Sequence, residues 1–190
     1  MKRKRVVVGF LLLVIWILSG CTETITDKVT EKKIKVIEKV DPSLTEVEVE
    51  TDGMLASFVY DGPDPFGIGN KVLADMNYYK QNDIARGDIV VFSTKNKKNQ
   101  DTDMARVVGL PGETVRIDKG QVYIDDKMLD TFYGNDSTSE NNDSWDPVTL
   151  KDGEYYILAD VRWRGFNDSQ TAGPFRKEDI LGKILGYKKR

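Results

Sequence analysis

Histidine is absent from the 190 residues of this chain. That absence removes Ser-His-Asp and Cys-His catalysis together with the commonest zinc ligand, so neither a metal site nor a resident cofactor is expected. Cysteine occurs once, at Cys21, and no disulfide can form within the chain. A bulk excess of positive charge is also missing. Twenty-eight basic residues face 31 acidic ones, a net −3, which argues against a general nucleic-acid binder. Lys2, Arg3, Lys4 and Arg5 form one block; without them 24 basic residues face 31 acidic ones, a balance of −7. No segment carries the sustained 3.6-residue apolar period of a long amphipathic helix.

An apolar run long enough to cross a membrane is lacking too. The mostly apolar stretch Val6 to Leu18 has thirteen residues. At about 1.5 Å each it spans roughly 20 Å, short of a hydrocarbon core of about 30 Å. A basic block followed by a short apolar run suits a secretory signal better than an uncleaved anchor. Leu18-Ser19-Gly20-Cys21 resembles the lipobox of bacterial lipoproteins. That resemblance implies removal of residues 1–20, lipidation of Cys21 and tethering to membrane lipid on the extracytoplasmic face. Residues 21–43, rich in Thr, Lys and Glu, read as a solvated tether, with weak alternation from Ile34 to Val40 that fits a short strand. The folded domain is then expected over 44–190.

Within it, short alternating or apolar stretches predict strands at Val47 to Glu50, Lys71 to Ala74, Asp88 to Phe92, Ala105 to Val108, Thr114 to Ile117, Gln121 to Ile124, Tyr155 to Ala159 and Ile180 to Tyr187. Turn signals such as Asp118-Lys119-Gly120 and Lys151-Asp152-Gly153 separate them. The pattern predicts an all-β barrel or sandwich. Two polar stretches, Thr94 to Asp103 and Gly134 to Pro147, are expected as exposed loops.

Four segments follow in order: V-E-V-E-T-D-G-M-L-A-S-F (47–58), R-G-D-I-V-V-F (86–92), A-R-V-V-G-L-P-G-E-T-V-R-I (105–117) and A-D-V-R-W-R-G-F-N-D-S-Q (159–170). Together they resemble the signature boxes of type I signal peptidases, membrane-bound serine proteases of the S26 family, over about residues 47–187. The retained motif positions are Met54, Arg86, Gly87, Asp88, Arg106, Gly109, Pro111, Gly112, Asp160, Asp168 and Ser169. The resemblance implies a mostly β fold, with a serine nucleophile opening a Ser-Met-x-Pro motif and a lysine base just before the arginine of Arg-x-x-Gly-Leu-Pro-Gly. Such a lysine works only when burial shifts it toward neutrality.

Neither catalytic residue stands where the resemblance puts it. The lysine position falls on Ala105. The nucleophile position falls on Gly53 in the register that aligns Met54, or on Asp61 when counted back from the R-G-D box without a gap. In the last box the asparagine, the terminal arginine and the serine that would orient the lysine are also replaced. Losing members that act as one unit costs on the order of 10⁶ in rate, about 8 kcal/mol of barrier. A relocated pair of Ser57 with Lys95, Lys97 or Lys98 would need a desolvated lysine, and those three sit in a charged run. Asp61, Asp64, Asp160 and Asp168 read first as turn and hydrogen-bonding residues. Trp163 and Phe166, interleaved with Arg162 and Arg164, are expected either to bury one face in a hairpin or to contact lipid or peptide.

The expectation is therefore an inactive signal-peptidase-like lipoprotein that binds extended peptide or an exported precursor by strand addition. Dyad-lacking members of that family are associated with pilus assembly, which by analogy points to surface assembly. Two rival readings are a working signal peptidase with an unrecognised nucleophile, and an envelope lipoprotein whose cleft is occluded.

Overall fold

In the computed structural model, residues 23–55, 60, 63–95, 101–135 and 143–189 are described. Thirteen strands run through them: β1 (Thr24–Thr26), β2 (Lys35–Val36), β3 (Thr45–Glu48), β4 (Lys71–Asp75), β5 (Ile89–Ser93), β6 (Thr102–Gly109), β7 (Thr114–Asp118), β8 (Gln121–Ile124), β9 (Lys127–Asp130), β10 (Trp145–Thr149), β11 (Glu154–Leu158), β12 (Phe175–Arg176) and β13 (Ile180–Tyr187). The helix α1 (Ser169–Ala172) is a single turn. The larger sheet has the order β12-β11-β6-β5-β13-β4-β3, with β2 added parallel to the end of β13, and it curls into a half-barrel. The smaller sheet has the order β1-β9-β8-β7-β10. The all-β expectation holds.

Position in the sheet explains the burial patterns. β5 lies between β6 and β13, and its run Ile89-Val90-Val91-Phe92 is buried on both faces, as expected of a strand covered above and below. Side chains alternate across the sheet. Ile89, Val91 and Met104 meet Val49, Met54 and Phe66 on one face, while Val90, Phe92, Ala105 and Val107 meet Tyr155, Ile157 and Phe175 on the other. The smaller sheet closes its core over Val108, Tyr156 and Leu158 of the larger one. The β8–β9 hairpin turns on Asp125 and Asp126, at φ 49° and 62°; two left-handed residues match the right-handed twist of the strands they join.

Several elements differ from the sequence reading. Within the stretch expected as a solvated tether, β1 pairs in parallel with β9, and β2, in the expected short strand from Ile34 to Val40, pairs in parallel with β13. The Tyr133 hydroxyl donates to Asp27 at 2.7 Å and the Ile34 amide donates to the Tyr60 hydroxyl at 3.0 Å. These residues are laced onto the domain by pairing partners distant in sequence. β6 starts at Thr102, inside the expected loop 94–103. β10 lies within and beyond the loop expected up to Pro147, with its register shifting between Trp145 and Val148. Pro147 sits in that irregularity, where a strand tolerates a missing amide.

Gly109 ends β6 where the two sheets meet. A Cβ built there would lie 2.4 Å from Val115 Cγ2 and 2.9 Å from Leu150 Cδ1 and Tyr156 Cβ. Gly109→Ala is expected to lower unfolding free energy by about 1–3 kcal/mol through overpacking, read as a shifted midpoint in urea denaturation.

Candidate functional site

The Gly-Leu-Pro-Gly tetrad is a turn whose parts answer to geometry. Pro111 suits its second position, and Gly112 adopts φ 86°, the left-handed region that favours glycine. The turn closes with the Glu113 amide donating to the Leu110 carbonyl at 3.2 Å and the Gly112 amide to Leu150 at 3.0 Å. Glu113 Oε2 accepts the Leu110 amide at 2.7 Å and an Arg86 Nη1 bond at 3.0 Å, while Arg86 Nη2 reaches Oε1 at 2.5 Å. The R-G-D segment is thereby fixed to the turn. Asp88 does the same on its own side, accepting Lys183 Nζ at 2.6 Å and the Tyr79 hydroxyl at 2.9 Å.

Arg106 is the centre of this frame and is 2% exposed. Its Nε and Nη2 donate to the two oxygens of Asp160 at 2.8 and 2.7 Å, and Nη1 donates to the Gly87 carbonyl at 2.8 Å. Phe132 and Tyr133 cover the guanidinium, with ring centroids 4.8 and 5.3 Å away. Burial works against the charge, but Asp160 more than offsets it and raises the guanidinium pKa above its ordinary value. Three of the four sequence boxes meet at this one side chain.

The fourth box meets the first at Gly53. The Gly53 carbonyl accepts the Val161 amide at 2.9 Å. A Cβ added at Gly53 would lie 3.2 Å from Ala159 Cβ and 3.4 Å from the Arg164 carbonyl oxygen. Ala159 follows Leu158, which pairs with Arg106 at the end of the β11–β6 ladder. Gly53 and Ala159 are thus brought together, while Met54 and Ala105 pack on opposite faces of the sheet. Ala105 is wholly buried. Cys21, Ser57, Asp61, Lys97 and Lys98 lie outside the described residues. Lys95 is occupied, donating to the Ala172 and Pro174 carbonyls at 2.8 and 2.6 Å above the Phe175 ring.

Asp168 and Ser169 support this neighbourhood from behind. Asp168 Oδ2 accepts the Ala159 amide and Oδ1 accepts the Gln170 amide, both at 3.0 Å, which caps α1. Ser169 Oγ accepts the Ile157 amide at 2.9 Å. Burial pushes the Asp168 carboxyl up to about 6, against the opposing pull of those amide bonds. Asp64 acts in a turn, as the sequence suggests, with Oδ1 accepting the Phe66 amide at 2.8 Å, and burial raises its pKa as well. Trp163 and Phe166 are not buried in a hairpin: they stand 59% and 73% exposed beside Gly165. Among the described residues no group of three or more metal-ligating side chains forms a candidate metal site.

Beside Gly53 runs a narrow groove lined by Val47 to Thr51, Met54, Val91 and Thr102 to Met104. β6 pairs with β11 only from Arg106 to Gly109, which leaves Thr102 to Ala105 open on that side. Opposite, the amide and carbonyl of Val49 bond back to Asn70 and Gly69 at 2.9 and 2.8 Å. The groups of Glu48 and Glu50 therefore face away from β4, toward the groove. Thr51, Asp103 and Asn167, which connect these walls, carried no sequence signal. Asp103 lies at the end of the polar run read as a loop.

A family model for signal peptidase, peptidase S26, matches residues 46–186. The chain belongs to the S26 signal peptidase family. A probable signal peptidase I-2 of Synechocystis sp. is 33% identical over 122 residues, 62% of this chain and 54% of that protein. Signal peptidase I V of Bacillus subtilis is 32% identical over 130 residues, 63% of this chain and 75% of that relative. The chain thus spans about half the length of the Synechocystis protein. A crystal structure of a signal peptidase I from Enterococcus faecalis V583 is 26% identical and covers 54% of this chain and 97% of its own, with a TM-score of 0.46.

Two outcomes test this frame. Asp160→Ala leaves Arg106 buried without its partner, and is expected to cost about 3–5 kcal/mol of unfolding free energy in chemical denaturation. The folded carboxyl of Asp168 titrates near 6, whereas an unfolded aspartate titrates near 3.9. Between those values the native state holds the proton longer, so this group's contribution to stability falls as pH rises from about 4 to about 6 and is level above. The stability difference, Asp168→Asn minus wild type, should accordingly grow across that window by on the order of 2–3 kcal/mol. A difference independent of pH contradicts the assignment.

Proposed function

We propose that this chain is a catalytically silent member of the signal peptidase family that holds extended segments of exported proteins without cutting them. It is anchored through lipidated Cys21 on the extracytoplasmic face of the membrane. The observation that carries this reading is at position 105. Directly before Arg106, where the family's lysine base would stand, the side chain is a methyl group sealed among Val90, Val107, Ile157 and Phe175. A methyl group takes no proton, and an unactivated hydroxyl is a poor nucleophile. Lys95, the described lysine closest to it in sequence, spends its donors on the Ala172 and Pro174 carbonyls.

Support for peptide holding comes from the groove. Its walls are one strand edge open at Thr102 to Ala105 and another presenting the main-chain groups of Glu48 and Glu50. A segment laid between them forms main-chain bonds on both sides, and that needs neither a serine nor a lysine. Support for the anchor comes from Leu18-Ser19-Gly20-Cys21. Cys21 stands three residues ahead of β1, at most about 10 Å of chain. The exposed Trp163 and Phe166 suit an interface with lipid headgroups.

The test is photo-crosslinking. With a photoreactive amino acid at position 50 of the full chain in detergent micelles, irradiation beside a peptide bearing an Ala-x-Ala sequence should give a saturable adduct. Unlabelled peptide should compete it away. Absence of any adduct at saturating peptide contradicts peptide holding and leaves an envelope protein with an occluded cleft.

A further inference from the structure

The groove is closed in the free chain, and one side chain closes it. Along an antiparallel ladder, alternate residues turn their amide and carbonyl to the same neighbour, so the Met104 amide points away from β5 and into the groove. It is already engaged, donating to Asp103 Oδ1 at 2.8 Å. The same oxygen accepts the Thr51 hydroxyl from the opposite wall at 2.7 Å. Asp103 Oδ2 accepts Asn167 Nδ2 at 2.9 Å, from the loop that leads into Asp168. A strand inserted between two others needs walls roughly 9.6 Å apart, two spacings of about 4.8 Å. The space enclosed here is about 10 Å³, room for about one water molecule.

We propose that Asp103 is a latch on the peptide groove: its carboxylate occupies the Met104 amide that an incoming strand would pair with, and ties both groove walls to the 160–168 loop. This rests on the reading of the groove as a peptide site and adds how access to it is controlled. A peptide enters by offering its own carbonyl to Met104 and displacing Asp103. Thr51 and Asn167 let go in the same event, so the walls part as the edge becomes available. An ordinary surface aspartate would leave peptide affinity untouched on removal; a latch makes affinity rise. Each displaced bond to a charged acceptor opposes binding by about one factor of ten.

Asp103→Ala and Thr51→Val in the full chain, in detergent micelles, separate the two parts of the latch. Binding of a fluorescein-labelled Ala-x-Ala peptide is read by anisotropy, and exchange of the Met104 amide by hydrogen–deuterium exchange. Asp103→Ala, which removes three such bonds, is expected to bind at least about tenfold more tightly and to exchange rapidly at Met104. Thr51→Val, which cuts only the bond between the walls, should bind more tightly with Met104 still protected. Equal or weaker binding by both variants, with native circular dichroism, overturns the latch. Unchanged slow exchange at Met104 in Asp103→Ala overturns it as well. If neither wild type nor variants bind peptide, the peptide-holding reading fails and the latch with it, and the Met104 exchange then reports only whether Asp103 holds that amide.

Discussion

The fork between Arg106 and Asp160 is the constraint on which the rest of this molecule depends. A guanidinium 2% exposed survives inside a protein only when its donors are matched, because an unmatched buried charge is costly. Here two donors go to one carboxylate and a third to the Gly87 carbonyl. One strand of the central sheet, the loop after β11 and the turn before β5 are therefore fixed to a common point. The Gly-Leu-Pro-Gly turn is held to the same assembly through Arg86 and Glu113. Asp168 then steadies Ala159 against Gly53. None of these contacts involves a reacting atom.

That separation lets the frame stand whatever side chains occupy positions 53 and 105. Arg106 and Asp160 hold the fold, and their loss would destabilise the protein whatever its activity. Gly53 and Ala105 make no side-chain polar bond, so a small residue at either place leaves the frame standing. The main-chain edges at Glu48, Glu50 and Thr102 to Ala105 are likewise independent of those two side chains. Edges of that kind recognise backbone, and backbone recognition requires no nucleophile.

Much of the frame was legible in the sequence because its elements obey simple periods. β4, β5, β8 and β13 alternate or run apolar as buried strands do, and the R-G-D and Gly-Leu-Pro-Gly boxes name their own turns. What escaped lacks such a signal. β1 and β12 have two or three residues each, too few for a period, and exist through pairing with other strands, whereas β2 falls in the weakly alternating stretch from Ile34 to Val40. β10 was masked by Pro147. The first residues of β6 were masked by the polar run before them, and Asp103 with it. A carboxylate that bonds Thr51 and Asn167 across 52 and 64 residues has no local signature. Pairing of Gly53 with the Ala159 loop likewise became visible only in three dimensions.

The most direct measurement of the central claim is mass spectrometry of a purified preprotein carrying an Ala-x-Ala site after incubation with the full chain in detergent. The preprotein is expected to remain intact over hours at equimolar protein. A fragment ending at that site, produced by wild type and absent with Ser57→Ala, would contradict it and make the chain a working peptidase.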